Sequence, residues 1–156
     1  MQSENGLSPF NSCQEIKMNK LLIATKNEGK VNDFKQLLSP YFIEVISLLD
    51  IEDSIPEIEE TGTTFEENAA IKAETIADMF QQPVLADDSG LMVDYLDGRP
   101  GVYSARYAGN EKDDVANLQK VLHELKGVPK ENRTAKFVCV LAIARPGYPT
   151  IFKKGI

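Results

Sequence analysis

Residues 20–25 (KLLIAT) form a short continuous apolar run, and Asn27 follows at once with the side chain of a helix cap. A buried strand that turns directly into a capped helix commits a chain to an α/β arrangement, because the helix must pack back onto the sheet that the strand enters. Val31, Phe34, Leu37 and Leu38 fall at helical spacing and carry the helix over 29–38. Ser39-Pro40 ends it, since proline disfavours helical geometry in the residue before it.

The alternation continues. Residues 42–47 (FIEVIS) read as a second strand, and an acidic stretch over 48–62, interrupted by Pro56, leads to Thr64. Thr64 and Glu67 make a capping-box pattern that opens a helix reaching residue 80, with Phe65, Ala69, Ala73, Ile76 and Phe80 on its buried face. Residues 84–86 read as an apolar strand that stops at Asp87, with an extended apolar pattern resuming over 91–93. Residues 98–109 (GRPGVYSARYAG) hold too much Gly and Pro for a regular element and read as a loop. Asp113 caps a helix through residue 125, stopped by Gly127-Val128-Pro129. Residues 135–144 read as a strand, and the Pro146-Gly147 turn leads into another over 150–152. Strands alternating with helices predict one α/β domain with a mixed central sheet flanked by helices.

Length agrees with a single core: 156 residues, 42% of them hydrophobic, suffice for one domain. With 17 Lys and Arg against 24 Asp and Glu, the net charge of -7 argues against nucleic-acid backbones and anionic membranes as partners. No apolar stretch approaches the roughly 20 residues that span a bilayer, and the first 17 residues lack the apolar core of an export signal. The polar residues 1–17 read as a disordered leader, with Met18 offering an alternative start. Cys13 in that leader and Cys139 in the apolar run 137–144, where a core position is expected, suggest no disulfide framework, and reducing cytoplasm is the simplest compartment.

Several segments can carry chemistry. Thr25, Lys26, Asn27, Glu28, Gly29 and Lys30 occupy the first strand-to-helix turn, where free N–H groups and the positive helix end attract phosphate. An ordinary capped turn with a surface lysine is the competing reading, and the Walker pattern is missing. Glu57, Glu59 and Glu60 crowd ahead of the second helix, either as ligands for a hard cation such as magnesium or as a solvated acidic loop. Lys72 lies two turns into that helix beside Asn68 at i−4, where exposed lysine is the plain reading.

Asp87-Asp88-Ser89-Gly90 is more telling, because two carboxylates end a strand that should be buried. Burying an unpaired carboxylate is costly, so at least one must find a metal, a cation or N–H donors. Neighbouring side chains on a strand point opposite ways, so only one of the pair can face a given site. His123, the only histidine, reads as a partly exposed structural residue on the third helix. With Cys139 read as a core residue, neither a zinc site nor a Cys-His or Ser-His nucleophile can be built, and activation by a divalent metal is what remains for hydrolysis.

Taken in order, LLIATKNEGKVNDFKQLL, EETGTTFEENAAIKAETIA, VLADDSGLMVDYLDGRPGVYSARYAG and NRTAKFVCVLAIA resemble the inosine triphosphate pyrophosphatase family, over about residues 18–156. The resemblance implies two lobes around a nucleotide cleft, a cytoplasmic homodimer, and magnesium-dependent hydrolysis of non-canonical purine nucleoside triphosphates (ITP, dITP, XTP) to the monophosphate and pyrophosphate. It also implies roles: Thr25 to Lys30 as the triphosphate loop, Lys72 on phosphate, Glu60 as a magnesium ligand, Asp88 as metal-linked general base and Ser89 as a substrate contact. Family members continue past the point matching Ile156 into a Phe-Gly-Tyr-Asp segment, a lysine and a Ser-His-Arg motif that recognise the base, so residues 18–156 read as the pyrophosphatase domain without that segment. Maf-type nucleotide pyrophosphatases fit the TKNEGK and ADDSG segments less well. A non-catalytic fragment that binds nucleotide, or pairs with another chain through sheet edges, is the alternative from a different class.

Overall fold

A strand–helix–strand unit opens the computed structural model, which describes residues 19–51 and 55–156. The expected leader and Cys13 lie outside the described residues. Strand β1 (Asn19–Ile23) runs into helix α1 (Glu28–Leu38), and β2 (Ile43–Ser47) returns parallel to β1, with Leu21 opposite Val45. Asn27 caps α1 as its position predicts, its side chain accepting from the Lys30 N–H.

Helix α2 (Phe65–Phe80) follows, held at its start by a complete capping box between Thr64 and Glu67. It leads to β3 (Val84–Val93), which lies on the other side of β1, again parallel. Helix α3 (Asp114–Glu124), capped by Asp113, precedes the antiparallel strands β4 (Ala135–Arg145) and β5 (Tyr148–Gly155). The resulting mixed sheet has the order β2-β1-β3-β4-β5.

The two helices of the parallel half cover opposite faces. Phe65, Ala69, Ala73 and Ile76 of α2 pack with Leu22, Val84, Ala86, Val140 and Ala142 on one side, while Phe34 and Leu38 of α1 pack with Ile23, Val45 and Leu85 on the other. Strands with helices on both faces must be apolar on both, which is why KLLIAT and VLA read as continuous apolar runs. A third cluster joins Val121 of α3 and its C-cap Leu125 to Val93, Leu96 and Val128 at the far end of β3.

Two expectations are corrected. The third strand does not stop at Asp87: β3 runs unbroken from Val84 to Val93, because every one of its residues is paired with β4, from Val84 opposite Ala144 to Val93 opposite Ala135. Backbone pairing along the whole strand outweighs the two carboxylates, each of which finds its own cation. Cys139 is exposed, whereas its neighbours Val138 and Val140 are buried, because β4 alternates and only its α2 side is fully covered there. The residues 98–109 contain a short 3-10 helix, Gly101–Arg106, laid against β3.

Candidate active site

The order β2-β1-β3, with α1 on one face and α2 on the other, creates a topological switch point at the carboxyl ends of β1 and β3, where open α/β sheets bind ligands. β1 ends at Ile23 opposite Leu85, and β3 continues past it. Asp87 and Asp88 therefore stand just beyond the end of β1, next to the turn that starts α1.

On the α1 side, the Lys30 ammonium donates to Asp87 Oδ2 at 2.6 Å, and the Asp87 carboxylate is almost wholly buried. The turn that carries Lys30 is held from within. Asn27 N–H donates to Thr25 Oγ1 at 3.1 Å, Lys30 N–H donates to Asn27 Oδ1 at 3.0 Å, and the Lys26 ammonium donates to the Ile55 carbonyl at 3.0 Å. The N–H groups of Glu28 and Gly29, in the first turn of α1, have no intrahelical acceptor and lie at the positive end of the helix. Gly29 keeps this surface low, since a Cβ there would sit 3.2 Å from Asn27 Oδ1.

On the α2 side, Lys72 is not the exposed lysine of the plain reading: its side chain is only 16% exposed. Its ammonium lies 3.3 Å from Glu60 Oε1 and 3.9 Å from Asp88 Oδ1, so two carboxylates converge on one cation. Burial pushes the Asp88 carboxyl up to about 6; Glu60 adds to the rise, while Lys72, Asn68 and the Ser89 N–H oppose it. Asp88 Oδ1 accepts from that N–H at 3.1 Å, whereas Oδ2 is buried without a hydrogen-bond partner among the described residues. Of the three crowded glutamates only Glu60 reaches this cluster; Glu57 pairs at the surface with Lys112, and Glu59 is exposed.

The loop bearing Glu60 is fixed by groups from two directions. Arg106 donates from Nη2 to the Glu60 carbonyl at 3.2 Å, and its guanidinium stacks over Tyr103. Two residues on, Gly62 N–H donates to Asn68 Oδ1 at 2.8 Å. The 3-10 segment carrying Arg106 approaches β3 at Gly90, where an added Cβ would fall 2.3 Å from the Gly101 carbonyl.

Residues 21–156 match the model of the Ham1 family. The chain belongs to that family. A dITP/XTP pyrophosphatase of Oceanobacillus iheyensis is 59% identical over 138 residues, spanning 88% of this chain and 70% of the relative. One from Bacillus licheniformis is 64% identical over 133 residues, 85% of this chain and 67% of the relative. Among solved structures, a HAM1 protein from Coxiella burnetii superposes with a TM-score of 0.79 at 39% identity, covering 88% of this chain and 70% of that one. The Staphylococcus aureus Ham1 protein does so with a TM-score of 0.77 at 44% identity, over 88% and 69%. Both the family read from the four motifs and the mixed-sheet fold are thereby borne out.

Within this Ham1-family chain the sequence-derived candidates fall into two groups. Glu60, Lys72 and Asp88 meet on the α2 face; Lys30 meets Asp87 on the α1 face, the side to which strand alternation also assigns the exposed Ser89. Lys30 and Lys72 thus flank β3 rather than touch. Two participants were not singled out from the sequence. Arg106 lay inside a segment read only as a loop, and nothing local marks it. Asn68 carried a signal: it is a polar residue on the apolar stripe of α2, next to Ala69 and one turn before Lys72.

Proposed function

We propose that this chain is a magnesium-dependent pyrophosphatase that hydrolyses non-canonical purine nucleoside triphosphates of the dITP, ITP and XTP type to the monophosphate and pyrophosphate. The observation that carries this reading is the convergence of Glu60 and Asp88 on the Lys72 ammonium at the switch point, with the start of α1 beside them. Similarity to relatives named dITP/XTP pyrophosphatases supplies the substrate class.

The donor set suits magnesium, a hard cation that takes carboxylate oxygens and shares its sites with substrate phosphates. Glu60 offers a half-buried carboxylate, and Asp88 Oδ2 is a buried acceptor with nothing bonded to it among the described residues. Glu60 and Asp88 would hold the ion, which when bound would supply charge neutralisation to the phosphates.

The chain's own groups do the rest. The N–H groups at the start of α1 and the Lys30 ammonium bind outer phosphates, and Lys72 places a positive charge over the same crevice. Asp88 accepts a proton from a water directed at the α-phosphorus; the new P–O bond forms, the bond to the bridging α–β oxygen breaks, and pyrophosphate leaves. No covalent intermediate is required. Ser89 contacts substrate from the α1 face, and a cytoplasmic homodimer completes the proposal.

A pyrophosphate-release assay across ITP, dITP, XTP, ATP and GTP tests it. Magnesium-dependent release of pyrophosphate and monophosphate is expected, and release of orthophosphate, or turnover undiminished by chelation, would overturn the assignment.

A further inference from the structure

Asn68 is the largest polar side chain in the interior of α2 and is fully buried. A buried amide stays buried only when its donors and acceptors are used, and only half of this one is accounted for by the fold. Its oxygen accepts the Gly62 N–H at 2.8 Å. Its nitrogen has no partner that meets hydrogen-bond geometry among the described residues, and neither has Asp88 Oδ2. The two orphan groups are a donor and an acceptor on the same side of β3: Asn68 lies one turn from Lys72 along α2, and Lys72 reaches Asp88 Oδ1 at 3.9 Å.

The connections close a ring. Glu60 and Gly62 sit two residues apart on one loop, and Asn68 and Lys72 sit one turn apart on one face of α2. Gly62 binds Asn68, Glu60 binds Lys72, and Lys72 reaches Asp88 from the face of α2 that it shares with Asn68. Gly62 cannot carry a side chain here, because a Cβ would lie 2.6 Å from Asn68 Oδ1 and from Glu67 Cβ. The backbone of the loop is thus drawn against α2 at the place where Asn68 can take hold of it.

We propose that Asn68 is a positioning residue for the reaction: with its oxygen tied to the Glu60 loop and its nitrogen turned to Asp88, it fixes the distance and orientation of the two carboxylates relative to each other. Lys72 supplies charge between Glu60 and Asp88, and Asn68 supplies direction. Its planar amide offers one donor and one acceptor on a rigid frame, so the Asp88 carboxylate is held with one oxygen toward α2 and cannot rotate freely. This inference rests on the pyrophosphatase reading for its kinetic consequence but not for its structural one.

Asn68→Asp separates the two functions of the amide, since it keeps the acceptor for Gly62 and replaces the donor facing Asp88 by a carboxylate oxygen. In the complete chain, kcat for ITP is expected to fall by about 10–100-fold with KM within about twofold, the scale on which groups behind a metal ligand act. A second arm needs no turnover: the drop in Tm caused by Asn68→Asp should shrink sharply when combined with Asp88→Asn, because the amide and carboxylate then exchange places. Asn68→Ser, made in both backgrounds, serves where the single Asp variant does not fold. An equal Tm loss in both backgrounds would overturn the inference and leave Asn68 a clasp for Gly62 alone. If no chain turns over ITP while the Tm coupling is present, the pyrophosphatase reading fails and the Asn68–Asp88 link stands.

Discussion

Asp87 and Asp88 are consecutive residues whose carboxylates serve opposite faces of β3, Asp87 bonded to Lys30 at 2.6 Å and Asp88 lying 3.9 Å from Lys72. Two adjacent negative charges are tolerated inside a sheet because each has its own lysine, delivered by a different helix. The consequence is a division of labour that mutation can expose. Asp88→Asn keeps the shape and removes the proton acceptor, so turnover should drop by about 10²–10⁴-fold, the usual worth of a positioned base, with the fold unchanged. Pyrophosphate release read beside circular dichroism checks this. Turnover within a few fold of the parent would sink the role given to Asp88.

Lys30→Ala is expected to do two separable things. Removing the ammonium leaves the buried Asp87 carboxylate without its partner, which costs about 1–3 kcal/mol, and it strips a charge from the outer-phosphate region. Adding Asp87→Asn should recover most of the stability and none of the triphosphate affinity. Thermal melts and calorimetric titration with ITP and IMP decide the matter: the variant should weaken ITP much more than IMP. Equal losses for the two nucleotides would make Lys30 a structural partner of Asp87 and nothing more.

The elements were legible because their signals are local. Asn27, Thr64 with Glu67, and Asp113 each announce a helix start, and each caps the helix it was expected to cap. Strand alternation already required Asp87 and Asp88 to part company. What could not be read was anything depending on a distant strand. The continuity of β3 through its acidic middle is supplied by β4, some fifty residues later in the chain, and the exposure of Cys139 follows from which face of β4 a helix covers. Arg106 belongs with these, since its hold on the Glu60 carbonyl spans 46 residues and leaves no trace in its own neighbourhood.

The pH dependence of stability follows from Asp88. Its folded carboxyl is raised to about 6, chiefly by burial, from the ordinary aspartate value of 3.8. The folded state therefore binds this proton more readily than the unfolded chain, so its contribution to stability is fully present below 3.8 and is lost as pH rises through about 6. In metal-free protein, Asp88→Asn abolishes the loss, and the Tm advantage of the variant over the parent should widen between about pH 4 and pH 7. Added magnesium should narrow it again, because a bound cation favours the carboxylate. A gap independent of pH would mean that Asp88 is not the group responsible.

Gly90 offers the strongest test of whether the site is held by the 3-10 segment that carries Arg106. A Cβ at this position would fall 2.3 Å from the Gly101 carbonyl and 2.6 Å from Ser104 Oγ, so Gly90→Ala must push the 3-10 segment away from β3. That displacement breaks the bond from the Leu91 N–H to Ser104 Oγ, at 2.9 Å, and withdraws Arg106 from the Glu60 carbonyl. Overpacking of this kind costs about 1–3 kcal/mol, equivalent to a Tm drop of about 2–4 °C for each kcal/mol in a domain of this size. Magnesium affinity should fall as well, although neither proposed ligand has been altered, because Glu60 loses the anchor of its backbone. Gly155→Ala, where an added Cβ meets nothing within 4 Å, is the matched control and should change neither quantity. Magnesium titrations of ITP turnover alongside thermal melts separate the outcomes: a Gly90→Ala protein that is less stable yet needs no more magnesium would show that Glu60 is placed by its own loop, without help from Arg106.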